Sequence, residues 1–272
     1  MLKVALVLTC AVVLGTCAAA YAQNDRQFVE RAVHTELAAD AADHTHWLYY
    51  EDDRTPGADV RQWVAQTDIG DLKRVLQLNG RDLSINEQQS RINNFIGNPA
   101  AQQKQRKAGQ QDDRQATQML HMLPQAFQWT KTGDHDGNTT LHFKPDPNFH
   151  PPTWASRVFA AMEGDMTVND AQNRIVSIKG RMIRDVKFWG GLLGDIKAGG
   201  TFDVERREIG KGEWQITDTH VHIQGRALLF KNISDQEDDD KTSFKQLPDN
   251  IAGSAAEKEL LAQPPQHDVA LR

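Results

Sequence analysis

Cysteine is almost missing from this chain. Its 272 residues hold two, Cys10 and Cys17, both inside the apolar N-terminal stretch. With that stretch removed no thiol remains, which excludes disulfides, cysteine nucleophiles and cysteine-ligated metal centres. Only one long apolar run exists, so a polytopic membrane protein is excluded. Positive charge is in deficit, 31 Lys+Arg against 37 Asp+Glu, and no basic tract occurs, which argues against a general nucleic-acid binder. Gly-x-Ser-x-Gly, His-Glu-x-x-His and dinucleotide fingerprints are all absent. The reading from motifs is therefore a protein that is not an enzyme and has no cofactor and no metal.

What the N-terminus does contain is an export signal. Lys3 supplies the positive region, residues 4–13 the apolar core, and Ala20-Tyr21-Ala22 the small-x-small cleavage site before polar Gln23-Asn24-Asp25. Residues 1–22 are read as a signal peptide cleaved after Ala22, and the protein as exported to the periplasm. Leu14-Gly15-Thr16-Cys17 also resembles a degenerate lipobox, so a lipid anchor at Cys17 is the alternative.

Along the mature chain, residues 27–42 have helical spacing (Phe28, Ala32, Val33, Leu37), with Asp25 placed to cap them. Residues 46–51, 60–68 and 72–78 read as strands. Ser84-Ile85-Asn86-Glu87 is a capping box that opens a helix to about Phe95. The polar stretch 99–113 reads as an exposed helix or mobile insertion, and 115–123 as a short helix ended by Pro124. Residues 127–131 and 139–144 suggest a hairpin, and 154–162 a short helix. From Glu163 the pattern is an antiparallel meander: 163–168, 175–188, 200–209, 214–223 and 226–231. Within 175–188 the even positions are mostly apolar. In 214–223 the apolar phase switches from even (Trp214, Ile216) to odd (Val221, Ile223), which predicts a bulge near Asp218. The acidic run 236–241 reads as solvated, and 248–272 as a poorly ordered tail or a short loose helix.

Several constellations could carry chemistry. His44/His46 and His220/His222 each project two imidazoles from one strand face, yet nothing in the sequence supplies a third metal ligand. Asp134-His135-Asp136-Gly137-Asn138 begins like a calcium loop, but Pro145 stands where a bidentate Glu is needed, so a hairpin turn is the better reading. The Gly-rich segment with Trp189, Leu192 and Leu193 reads as a lid over a cavity or as a simple sheet-edge closure.

The segments Leu72-Lys73-Arg74-Val75-Leu76 leading to Asn79-Gly80-Arg81-Asp82-Leu83-Ser84, Phe188-Trp189-Gly190-Gly191-Leu192-Leu193-Gly194 followed by Gly199-Gly200-Thr201-Phe202-Asp203-Val204, and Gly212-Glu213-Trp214 carry a resemblance. The chain resembles the outer-membrane lipoprotein-sorting (LolA/LolB-like) superfamily, in particular uncharacterised secreted bacterial members, over about Phe28 to Phe244. The resemblance implies a curved antiparallel half-barrel closed by helices, with an apolar cavity for acyl chains. It assigns no binding residue one by one.

The expectation is an α+β fold: a curved antiparallel sheet, or half-barrel, with helices on its concave face. Residues 23–247 form a single domain, with a helical insertion at about 84–123. The function expected is a non-enzymatic envelope protein that binds a lipid or the acyl chain of an acylated protein, with no nucleic-acid partner and at most peripheral membrane contact. The expected ligand lining is Val176, Ile178, Met182, Val186, Phe188, Phe202, Val204, Trp214 and Ile216, under a lid of Trp189, Leu192 and Leu193. Two alternatives stand beside it: these side chains are plain core, and the protein is a structural or interaction module without a cavity.

Overall fold

The structure is a computed structural model and describes residues 4–188, 194–223, 225–227 and 236–265. The chain opens with a long helix, α1 (Val4–Ala42). Four strands follow: β1 (His46–Thr55), β2 (Ala58–Ala65), β3 (Leu72–Leu78) and β4 (Arg81–Asp82). Two helices, α2 (Ile85–Ile96) and α3 (Pro99–Ala126), lead to the hairpin β5 (Phe127–His135) and β6 (Asn138–Pro145). After the short α4 (Trp154–Phe159) come β7 (Met162–Asn169), β8 (Arg174–Met182), β9 (Val186–Phe188), β10 (Gly194–Ile196), β11 (Thr201–Gly210), β12 (Glu213–His222) and β13 (Gly225–Ala227). The last elements are β14 (Gln236–Leu247) and α5 (Gly253–Ala262).

Eleven strands form one curved, unclosed sheet in the order β4-β3-β2-β1-β14-β12-β11-β8-β7-β6-β5, and every pairing is antiparallel. A second sheet of three strands runs β13-β10-β9. The expected α+β class with a large curved antiparallel sheet is the observed one.

Directly paired residues share a face of a sheet. Following the register assigns two cores to opposite faces. On the first face, Phe127, Trp129, Leu141, Phe143, Met166, Val168 and Ile175 meet Val29, Ala32 and Val33 of α1 and Leu123 and Ala126 of α3. On the other face, Leu48, Tyr50, Trp63, Ala65 and Leu72 meet Ile92 of α2 and Ala256 and Leu260 of α5. Each helix presents apolar residues at spacings of three and four toward its own end of the sheet. A smaller cluster, Val158, Ala161, Met182, Val186, Ile196 and Ile223, seals the three-stranded sheet against α4 and β8.

Several expectations are corrected. Helix α1 begins at Val4 rather than near Gln27, so Asp25 lies inside it and caps nothing; its carboxylate accepts the Lys131 backbone N–H at 3.0 Å. Residues 99–126 form one helix, capped by the Asn98 side chain on Ala101 N, with Pro124 inside its last turn. Pro124 costs a single backbone bond there, and burial of Leu123 and Ala126 offsets it. Residues 175–188 do not form one strand: the run breaks after Met182, and β9 joins the second sheet. The acidic run is not a solvated loop. It is the first half of β14, between β1 and β12, where Asp239 is only 8% exposed. Of the two readings of 248–272 the helix is the observed one, α5, but it is packed and not loose, with Ala256 and Leu260 fully buried. Of the 226–231 strand, only Arg226 and Ala227 lie among the described residues, within β13.

Two local expectations match the structure. Ser84 and Glu87 form a reciprocal capping box at α2. A register shift on β12 pairs Glu205 with Asp218 but Arg206 with Ile216, which leaves Thr217 as the extra residue. That bulge returns Trp214 and Ile216 to the face of Val221.

Candidate functional site

The first face of the sheet is not fully covered. Between α1, α3 and the strands β8, β11 and β12 lies a cleft of about 640 Å³. That is within the usual range of small-ligand sites, about 300–1,000 Å³. Ala39 and Ala42 of α1, Ala116 and Leu120 of α3, and Ile175, Ile178, Trp214 and Ile216 of the sheet form its apolar walls. The β11–β12 hairpin closes one side, turning at Gly212, whose φ of 80° suits a residue without Cβ. Ile216 stands 43% exposed there, one of few large apolar side chains left open to solvent among the described residues.

The cleft also holds a charged floor. Glu36 of α1 accepts from Arg174 Nη2 at 3.0 Å and from Arg206 Nη1 at 2.5 Å, both on Oε2. Its Oε1 accepts the backbone N–H of Ile175 at 2.6 Å. The side chains are 5%, 10% and 19% exposed for Glu36, Arg174 and Arg206. Arg174 also donates to the Gly212 carbonyl and lies 6.0 Å from the centre of the Trp214 ring. Arg206 donates to the Trp214 carbonyl. Trp214 Nε1 is held by Gln172 Oε1 at 2.8 Å. At the mouth, Asp40, Asp43 and Asp113 are exposed. Partial burial, then the nearby Asp40 and Asp112 carboxylates, push the Asp113 pKa up from its ordinary value.

The expected lining residues scatter. Ile178, Trp214 and Ile216 do line the cleft. Val204 and Phe202 pair beside them on β11, with Phe202 packed on the first core. Met182 and Val186 are core beneath the small sheet. Val176 is displaced by a bulge: Thr167 pairs with Ser177 but Val168 with Ile175, so Ile175 rather than Val176 continues the inward row. Phe188 contributes backbone to β9, while its side chain and the lid residues Trp189, Leu192 and Leu193 lie outside the described residues.

Glu36, Arg174 and Arg206 escaped the sequence reading, although a signal existed. Arg206 is in phase with apolar Phe202 and Val204, and Glu36 falls on the α1 stripe of Val29, Ala32 and Val33. A charge in register with an apolar row marks either a buried pair or a site.

Two other polar groupings stand apart from the cleft. On the opposite face, His220 Nδ1 and His222 Nε2 donate to the same Asp238 oxygen at 2.8 and 3.0 Å. The Asp238 contact raises the His220 pKa above its ordinary value against a smaller effect of burial. Among the described residues, no group of three or more His, Cys, Asp or Glu side chains is arranged to hold a metal ion. The Asp134–Asn138 segment is a hairpin turn, with Asp136 and Gly137 at φ of 49° and 73°. No helix among the described residues is long and apolar enough to cross a membrane. Comparison with protein-family models, curated protein sequences and solved structures finds no match to this chain at significance.

Proposed function

We propose that this chain is a non-enzymatic protein of the cell envelope that shelters an apolar ligand, a lipid or the acyl chain of an acylated protein, in the cleft between α1, α3 and the sheet. In this reading the sheet acts as a half-barrel of the LolA/LolB-like kind. Helices α1 and α3 roof its concave face, and residues 1–22 direct export. The observation that carries the proposal is Ile216, 43% exposed within a wall otherwise built of Ala39, Leu120, Ile175, Ile178 and Trp214. Covering such a wall with hydrocarbon gains about 0.8 kcal/mol for each CH₂ buried, so a long chain binds without any catalytic group.

Titration with a fluorescent long-chain fatty acid tests it. Saturable binding should change Trp214 emission, and Ile216→Asp, exposed enough to leave the fold intact, should weaken binding at least tenfold. A protein that binds no such probe, with Ile216→Asp melting as the native chain does, overturns the reading and favours an interaction module.

A further inference from the structure

We infer that the ligand of this cleft carries one carboxylate, held by Arg206 and Arg174, so that the preferred occupant is a long-chain fatty acid and not a neutral lipid. The inference rests on the apolar-ligand reading above and adds the head group to it. Its basis is a charge count. Two guanidiniums share the single carboxylate of Glu36, and all three side chains are at least four-fifths buried. One positive charge is left over in a place poor in water. An uncompensated buried charge is costly, and a fixed pair of guanidiniums cannot relieve it by losing a proton.

Donors also remain uncommitted on both guanidiniums. A guanidinium has five N–H groups. Arg206 commits Nη1 to Glu36 and Nη2 to the Trp214 carbonyl, and Arg174 commits Nε and Nη2 to Glu36 and Nη1 to Gly212, which leaves N–H groups on both. Trp214, which Arg174 approaches at 6.0 Å, and Ile175 and Ile178 bring apolar surface directly beside those donors. Charge and hydrocarbon surface thus meet at one spot, as a fatty acid requires. The acidic groups lining the cleft, Asp40, Asp43, Asp113 and Glu213, oppose any anion and oppose one of higher charge most. Asp40, Asp43 and Asp113 are exposed, so solvent and salt screen them better than the floor. A phosphate monoester, with a charge of about −1.5 to −2, overshoots the single surplus charge.

The test compares three ligands of equal chain length on the full chain: hexadecanoic acid, hexadecanol and hexadecyl phosphate, each displacing a fluorescent probe. The acid should bind about tenfold or more tightly than the alcohol, the worth of a charge-assisted hydrogen bond. Arg206→Gln should bring the ratio of acid to alcohol affinity down to near one. Arg206→Lys, which keeps the charge, should retain part of the preference and guards against a folding artefact. Equal binding of acid and alcohol overturns the head-group assignment and leaves the apolar-ligand proposal standing. Tighter binding of the phosphate overturns the carboxylate assignment. Failure of all three to displace a bound probe overturns the carboxylate assignment, and failure of the probe itself to bind overturns both.

Discussion

Asp53 and Asp239 stand directly opposite each other on the paired strands β1 and β14, and each keeps one buried carboxylate oxygen without a hydrogen-bond partner. Glu51 lies on the same face, 7% exposed, beside Gln62 and between Lys73 and Lys241, each 3.8 Å away. Lys241 Nζ meets Asp239 Oδ2 at 2.6 Å. Burial raises the pKa values of Asp53, Asp239 and Glu237 from their ordinary values, with neighbouring carboxylates adding to the shift. Burial works against the charge on Lys241, but Asp239, Glu51 and Glu237 outweigh it and hold the ammonium pKa up.

These shifts fix a sign. A carboxyl group with a raised folded pKa favours the folded state below its ordinary pKa and loses that contribution as pH rises through the folded value. His220, also raised, behaves the same way around and above 6.5. The melting temperature should therefore rise by a few degrees on going from about pH 8 to about pH 5. Below about pH 4 the trend should reverse, as Glu205 and Asp238, whose pKa values are depressed by Lys179 and by the two histidines, become protonated. Asp239→Asn should flatten the upper part of the profile. A melting temperature constant between the two higher pH values refutes the account.

Glu36 is the only carboxylate paired with Arg174 and Arg206 among the described residues. Glu36→Gln keeps an acceptor for the Ile175 N–H but leaves two cations facing each other. The expected loss is about 3–5 kcal/mol in urea unfolding. A loss under about 1 kcal/mol would mean that solvent already reaches the pair freely.

Gly164 and Gly180 pair across β7 and β8. A Cβ on Gly180 would lie 2.7 Å from the Phe202 ring and would collide with the Glu163 carbonyl oxygen. Gly180→Ala should cost about 1–3 kcal/mol, read from denaturant midpoints, and should shift the near-ultraviolet signal. Gly57→Ala, where nothing lies within 4 Å, is the matched control and should be close to neutral.

Arg74 of β3 is 2% exposed and, among the described residues, pairs with no carboxylate; it donates instead to Gln88 of α2 and to the carbonyls of Leu260, Leu261 and Gln263 at the end of α5. A guanidinium at a helix C-terminus meets its exposed carbonyls and its dipole together. Arg74→Ala should cost on the order of 3 kcal/mol and should raise hydrogen exchange in α5 before it does so in β7 or β8.

How much of this was legible in the sequence follows from the range of the forces involved. The capping box of Ser84 and Glu87, the Asp136-Gly137 turn and the bulge beside Asp218 are fixed by neighbours within a few residues, and each could be located from the chain alone. The burial of Asp239 could not, since it depends on β1 arriving from nearly two hundred residues away to pair with an acidic strand. Leu260 looked like part of a loose tail because its hydrophobic partners, Trp63 and Leu72, lie on distant strands. The cleft was half visible. Ile178, Trp214 and Ile216 follow strand alternation, while the Val176 bulge and the meeting of Glu36 with Arg174 and Arg206 arise only once α1 is laid across the sheet.

Strand β14 lies between β1 and β12. Without residues 236–247 the chain holds two separate sheets, β4-β3-β2-β1 and β12-β11-β8-β7-β6-β5, whose edge strands β1 and β12 are left unpaired. Such edges invite pairing with other chains. The near-unbroken run of acids that begins this strand then serves a second purpose: like charges keep unassembled copies of it apart in solution, while Lys241 and the two histidines of β12 wait in the finished sheet to receive it.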